Sequence, residues 1–97
     1  MRGREQTVIP DIAVEMFSRP GCHLCDVTLA VIEKLRTRYP VMLRITNVED
    51  DPVLERSYGA RIPVVQVRRG SENDGTVFEY PIEEADLERE LERLWKR

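Results

Sequence analysis

The chain has little of several things that would point to other chemistries. Its 97 residues include only two cysteines and one histidine. Structural zinc takes four ligands, so a zinc site closed within one chain lacks the second Cys or His pair it would need. No apolar run approaches the ~20 residues that span a bilayer, and the opening MRGREQTVI is basic but has no apolar stretch before Pro10 to act as a secretory signal. An excess of positive charge is also missing. The formal net charge is -3, and no basic stripe interleaved with aromatics occurs, which argues against nucleic acid or an anionic membrane as a partner. There is no internal repeat. The expected location is a reducing cytoplasm, where a lone Cys-x-x-Cys serves catalysis or metal binding rather than structural cross-linking.

Against that background the two cysteines stand together as Cys22-His23-Leu24-Cys25. Residues 12–17, IAVEMF, are nearly continuously apolar and read as a strand covered on both faces. Ser18, Arg19, Pro20 and Gly21 stop it. Beyond Cys22 the positions Leu24, Val27, Thr28, Val31, Ile32 and Leu35 recur at helical spacing, so a helix runs to about Arg38 before Tyr39-Pro40 ends it. Cys22 therefore falls at the N-terminal edge of a helix, with Cys25 on the same face. One sulfur can attack an outside partner and the other resolve the product, which is the pattern of a dithiol redox site.

The rest of the chain frames that pair. Residues 41–48 read as a second strand, followed by the acidic run Glu49, Asp50 and Asp51. Those acids stand where a helix N-terminus favours them, and Asp51 before Pro52 predicts the cap of a short helix ending at Tyr58-Gly59. Arg61-Ile62-Pro63 leads into a third strand at residues 64–67. Asn73-Asp74-Gly75 has hairpin-turn chemistry, so residues 76–80 form a fourth strand antiparallel to the third. Leu87, Leu91, Leu94 and Trp95 share one face of a last helix, with Asp86–Arg89 and Glu92–Lys96 spaced to interact. The economical reading is an extension at residues 1–11 and one small α/β domain at residues 12–97.

FSRPGCHLC at residues 17–25, TNVEDDPVLERSYGARIPVV at residues 46–65 and the closing hairpin and helix together resemble the thioredoxin-fold superfamily, and within it the small glutaredoxin-like proteins with a C-x-L-C site. The resemblance implies a thioredoxin fold, βαβαββα, with a four-stranded mixed sheet and helices on both faces. It implies Cys22 as the exposed nucleophile, Cys25 as the buried resolving thiol, and Pro63 as a cis-proline facing the pair. Ile62 would offer its backbone to an extended substrate, with Arg19, Pro20, Leu24 and Arg61 completing the binding surface. His23 would tune the redox potential, and no metal or other cofactor would be needed. Where glutathione-binding relatives carry a Gly-Gly step, this chain has Tyr80-Pro81-Ile82-Glu83, and the tryptophan that precedes the thioredoxin site is replaced by Pro20-Gly21. Weak use of glutathione, a disulfide-bearing protein or small thiol as partner, and a monomeric state are the resulting expectations.

Physical chemistry supports Cys22 independently. A sulfur at a helix N-terminus meets unsatisfied N–H groups and the positive end of the dipole, with Arg19 and His23 adding local positive character. Lowering a thiol pKa from about 8.5 to about 6.5 raises the thiolate fraction at neutral pH roughly 25-fold, while a Brønsted slope of about 0.45 takes back roughly 8-fold in nucleophilicity. The second sulfur must therefore matter as much as the first. Thiol–disulfide oxidoreduction is the leading reading. The competing one is a non-catalytic module that holds an iron–sulfur cluster or soft metal on the same cysteines between two chains.

Overall fold

A strand with both neighbours occupied organises the molecule. Residues 12–70 and 75–95 are described by the computed structural model. Strand β1 (Ile12–Ser18) leads through helix α1 (His23–Arg36) into β2 (Met42–Asn47), and a 3-10 turn, Val48–Asp50, passes the chain to α2 (Pro52–Tyr58). Strands β3 (Val64–Arg69) and β4 (Thr76–Glu79) and helix α3 (Glu84–Trp95) follow. The sheet order is β2-β1-β3-β4, with β1 parallel to β2 and antiparallel to β3, and β3 antiparallel to β4. A parallel pair needs a crossover connection, and α1 is that crossover. This is the thioredoxin-type α/β order expected from the sequence. Asn73 and Asp74 of the expected turn, the extension at residues 1–11 and the Lys96 partner of Glu92 lie outside the described residues.

Alternation along the strands assigns the two faces. Ile12, Val14 and Met16 join Val65 and Val67 beneath Ile32 and Leu35 of α1 and Leu87, Leu91 and Leu94 of α3. On the opposite face Phe17, Val48 and Val64 pack with Leu54 and Tyr58 of α2, the Tyr58 ring stacking on Phe17 with centroids 4.2 Å apart. Helices thus cover both faces, but unequally. A seven-residue helix is only about 10 Å long, so α2 covers one end of its face and leaves Ala13 and Glu15 half-buried. Even coverage of β1, as its apolar run had suggested, is corrected to an alternating pattern.

Helix α1 divides its apolar positions between core and surface. The buried side of α1 consists of Cys25, Thr28, Ile32 and Leu35, whereas Leu24 is 40% and Val27 44% exposed. Helical spacing cannot tell the core-facing stripe from its flank when both are apolar, and the sheet contacts the stripe that contains Cys25. Helix α1 also ends at Arg36 rather than near Arg38. There the Thr37 hydroxyl donates to the Lys34 carbonyl at 2.7 Å, and the Arg38 N–H donates to the Leu35 carbonyl at 3.0 Å.

Helix α3 is held by its leucine stripe and stitched at its margins. Lys34–Glu84 at 3.2 Å and Arg38–Glu88 at 2.6 Å bridge it to α1 and the segment after it, and the expected Asp86–Arg89 pair forms at 3.1 Å. Exposed pairs of this kind contribute about 0–1 kcal/mol each, while truncating a buried leucine costs about 2–5 kcal/mol. The leucines therefore carry the helix.

Glu90 is the most enclosed of these carboxylates, 13% exposed. It accepts from Arg93 at 2.7 Å and from the Thr76 hydroxyl at 2.8 Å. The hydrogen bond from Arg93 is the main cause of a lowered pKa, burial opposes it, and Thr76 and the Arg93 charge reinforce it. A carboxylate depressed by folding stabilises the native state fully above its unfolded value, and that contribution is lost as pH falls through the lower folded value. The difference in thermal stability between the native chain and Glu90→Gln should therefore be full above about the ordinary 4.5 and shrink on acidification below it. Melting curves across that range test this, and a gap independent of pH would contradict it.

Candidate active site

The carboxyl end of β1 collects the loops on which the sequence placed the candidate site. Phe17 pairs with Val64 across β1 and β3, so one step further Ser18 comes level with Pro63. Ser18 also pairs with Asn47 of β2, which leads into the 3-10 turn and α2. The loop before α1, the start of α2 and the entry to β3 thus share one end of the sheet.

Gly21 turns the chain into α1 at φ +79, a left-handed conformation that costs side-chain-bearing residues. Cys22 follows as the N-cap in extended geometry, and its Sγ accepts the Cys25 backbone N–H at 3.1 Å. The Asp26 N–H donates to the Cys22 carbonyl at 3.1 Å. Sulfur thus meets one of the N–H groups that have no partner within the helix. Cys22 and Cys25 are disulfide-bonded with Cα atoms 5.2 Å apart. The environments of the two sulfurs differ. Cys22 is half-buried and Cys25 fully buried, the latter 2% exposed within the main core.

Around the pair, Pro20, His23 and Leu24 are exposed, Ile62 is half-buried and Pro63 is buried. The Ile62–Pro63 peptide bond is cis. Ile62 packs against both hydrophobic clusters, and Cys22 against the larger. A second cis bond, Tyr80–Pro81, had no signal in the sequence reading.

The two arginines are more heavily engaged than their sequence positions suggested. Arg19 donates to Glu55 at 2.7 Å, to Glu49 at 3.3 Å and to the Gly59 carbonyl at 3.0 Å, tying the loop before Cys22 to α2. Its guanidinium is held above its ordinary value chiefly by the hydrogen bond to Glu55. Positive character attributed to Arg19 is therefore largely answered by two carboxylates. Arg61 donates to Glu79 at 2.5 Å and to the Ser57 carbonyl at 2.7 Å, with its guanidinium over the Tyr58 ring at 5.5 Å.

The acidic run divides as well. Asp51 caps α2 as expected, accepting the Val53 N–H at 2.8 Å, but Asn47 caps the preceding turn by accepting the Glu49 N–H at 2.9 Å. Glu49 and Asp50 stand in the first turn of that 3-10 segment, where acids are favoured, and Glu49 also serves Arg19. Glu49 and Glu55 lie 30 and 36 residues from Arg19, and nothing in linear spacing identified them. Among the described residues no group of three or more His, Cys, Asp or Glu could hold a metal ion, and no helix is long and apolar enough to cross a membrane.

Comparison with known proteins agrees with this architecture. A family model described as glutaredoxin-like domain (DUF836) matches residues 13–92. Target protein XcR50 from X. campestris superposes with a TM-score of 0.66 at 25% identity, covering 82% of this chain and 96% of that one. Protein Ne2328 from Nitrosomonas europaea gives 0.68 at 24%, with coverage of 87% and 94%. Thioredoxin 1 from Thermosipho africanus also gives 0.68, at 15% identity and coverage of 87% and 94%. The last two likenesses speak for the fold. No curated protein matches the chain.

Gly21 provides a test of the entry to the helix. A Cβ added there meets nothing within 4 Å, so any cost of Gly21→Ala is conformational. Denaturant unfolding should show a loss of about 1–2 kcal/mol for Gly21→Ala and less for Gly21→Asn, since asparagine tolerates the left-handed region. Equal stability of the native and alanine proteins would rule out that conformation.

Proposed function

The chain belongs to the glutaredoxin-like domain family, and from that premise we propose that it is a thiol–disulfide oxidoreductase working through Cys22 and Cys25. The observation that carries this reading is the asymmetry of the pair, a half-buried sulfur at a helix N-cap joined to a buried one a turn inside. In the reduced state the Cys22 thiolate attacks a disulfide and one partner thiolate leaves. Cys25 then attacks the Cys22 sulfur, the second partner thiolate leaves, and the electron pair held by the dithiol has passed to the partner. The helix N-terminus favours the first thiolate, and proximity favours the second attack.

The surroundings favour a protein disulfide over a small anionic thiol. Pro20 and Leu24 offer exposed apolar surface, and the backbone of Ile62 lies at the same end of the sheet. Arg61, the group suited to an anionic partner, is held by Glu79 and the Ser57 carbonyl. Tyr80-Pro81 stands where a Gly-Gly step would permit close backbone approach, and proline offers no N–H. Glutathione is accordingly a weak partner in this reading. His23, exposed beside both sulfurs, has the role of tuning the potential, in a monomer acting in a cytoplasm.

Cysteine variants exposed to a disulfide substrate and analysed by intact mass test the proposal. Cys22→Ser should lose disulfide reduction, and Cys25→Ser should accumulate a stable mixed disulfide on Cys22. Adduct on Cys25 with none on Cys22 would reverse the assignment. Anaerobically prepared protein that retains iron or a soft metal and performs no exchange would replace the enzyme by the binding module.

A further inference from the structure

Thr28 is the one buried polar or charged side chain among the described residues, 3% exposed. It stands three residues after Cys25 on the core-facing stripe of α1. A threonine in a helix commonly returns its hydroxyl to a carbonyl three or four residues back, as Thr37 does to Lys34 at 2.7 Å. Thr28 makes no such bond, and among the described residues its hydroxyl has no partner. Burying an unpaired hydroxyl is costly, and valine would fill the same volume without that cost.

The position of the hydroxyl gives it a use. Helical side chains tilt towards the N-terminus, so Thr28 covers the turn that carries Cys25, with Cβ atoms on the order of 5–6 Å apart. In the disulfide the Cys25 sulfur is bonded to Cys22 at the helix mouth. Opening the disulfide frees that side chain to rotate about Cα–Cβ towards its neighbour on the stripe. We propose that the Thr28 hydroxyl donates a hydrogen bond to the Cys25 thiolate once the disulfide opens, and so sets the pH range in which Cys25 resolves a mixed disulfide. The proposal deepens the oxidoreductase reading above and rests on it.

The need arises from burial. An apolar surround disfavours the charged sulfur, and a donated hydrogen bond offsets this. The charged groups of the adjoining elements are directed elsewhere. Before α1, Arg19 is held by Glu55 and Glu49, and before β3, Arg61 is held by Glu79. At α3, Glu84 pairs with Lys34 and Glu88 with Arg38, while Glu83 is exposed. On α1 itself His23 and Asp26 are exposed. The layer packed on Cys25 is apolar.

The step itself conserves atoms and electrons. Cys25 gives its proton to solvent, and its thiolate, held by Thr28, attacks the Cys22 sulfur of the mixed disulfide. The Cys22–Cys25 bond forms as the bond from Cys22 to the partner sulfur breaks, and the electron pair leaves on the partner as thiolate.

Rapid mixing of the reduced protein with dithiobis(nitrobenzoate) separates the two sulfurs, because each releases one coloured thiolate. The first release reports attack by Cys22 and the second resolution by Cys25. In Thr28→Val the first release should be unchanged, while the pH profile of the second moves up by about one unit. With a Brønsted slope near 0.45 the second release should be about threefold slower at neutral pH and about threefold faster on the alkaline plateau, where the less stabilised thiolate is the better nucleophile. Thr28→Ser, which keeps the donor, should restore the native profile. A structural role for Thr28 would not produce curves that cross. An unshifted profile in Thr28→Val, or an equally shifted one in Thr28→Ser, would overturn the proposal. Absence of the first release from the native protein would instead overturn the oxidoreductase reading, and this one with it.

Discussion

A helix must find partners for the N–H groups of its first turn, and here one of them is met by sulfur. Serine, threonine, aspartate and asparagine are the usual caps. Cys22 in their place puts a polarisable, ionisable atom against the Cys25 N–H at 3.1 Å. That bond fixes where the first sulfur sits, at the end of β1, and the helical rise fixes the second on the core side. Gly21 is required to turn the chain into this cap, and the parallel β1–β2 pairing requires α1 to cross back over the sheet. Placement of the dithiol is thus a consequence of how the helix begins.

The loops flanking that cap are braced by two arginines. Arg19 joins the loop before Cys22 to α2, and Arg61 joins the entry of β3 to both α2 and β4. Exposed ion pairs contribute little to stability, so the brace acts mainly on geometry. It also answers positive charge beside the site with carboxylates of the same chain. What is left outward-facing near Cys22 is mainly Pro20, His23 and Leu24, the surface on which the proposed polypeptide partner would dock.

The elements were legible because local chemistry determines them. Asp51-Pro52 is a cap and first position, Gly21 and Gly59 punctuate helices, and the alternation along residues 76–80 matches a strand. The cysteine pair was legible from spacing alone. Spacing leaves a choice open where two solutions share one local pattern. Leu24 and Val27 satisfy helical spacing as well as Ile32 does, and only the position of the sheet separates them. Glu49 looked like a capping acid because nothing local reveals Arg19 thirty residues away. Thr28 passed as an ordinary member of the apolar stripe, and its unpaired hydroxyl became visible only once its surroundings were known. Pairings between distant segments depend on tertiary packing, which spacing along one helix does not encode.

The central claim is that one fold position makes two identical thiols unequal, Cys22 reactive and Cys25 sheltered. Brief alkylation of the fully reduced protein with iodoacetamide near neutral pH, followed by peptide mapping, measures this directly. The account predicts that Cys22 takes the label about tenfold or more faster than Cys25, as expected for an accessible thiolate-favouring site beside a buried thiol. Equal labelling of the two, or faster labelling of Cys25, would contradict it.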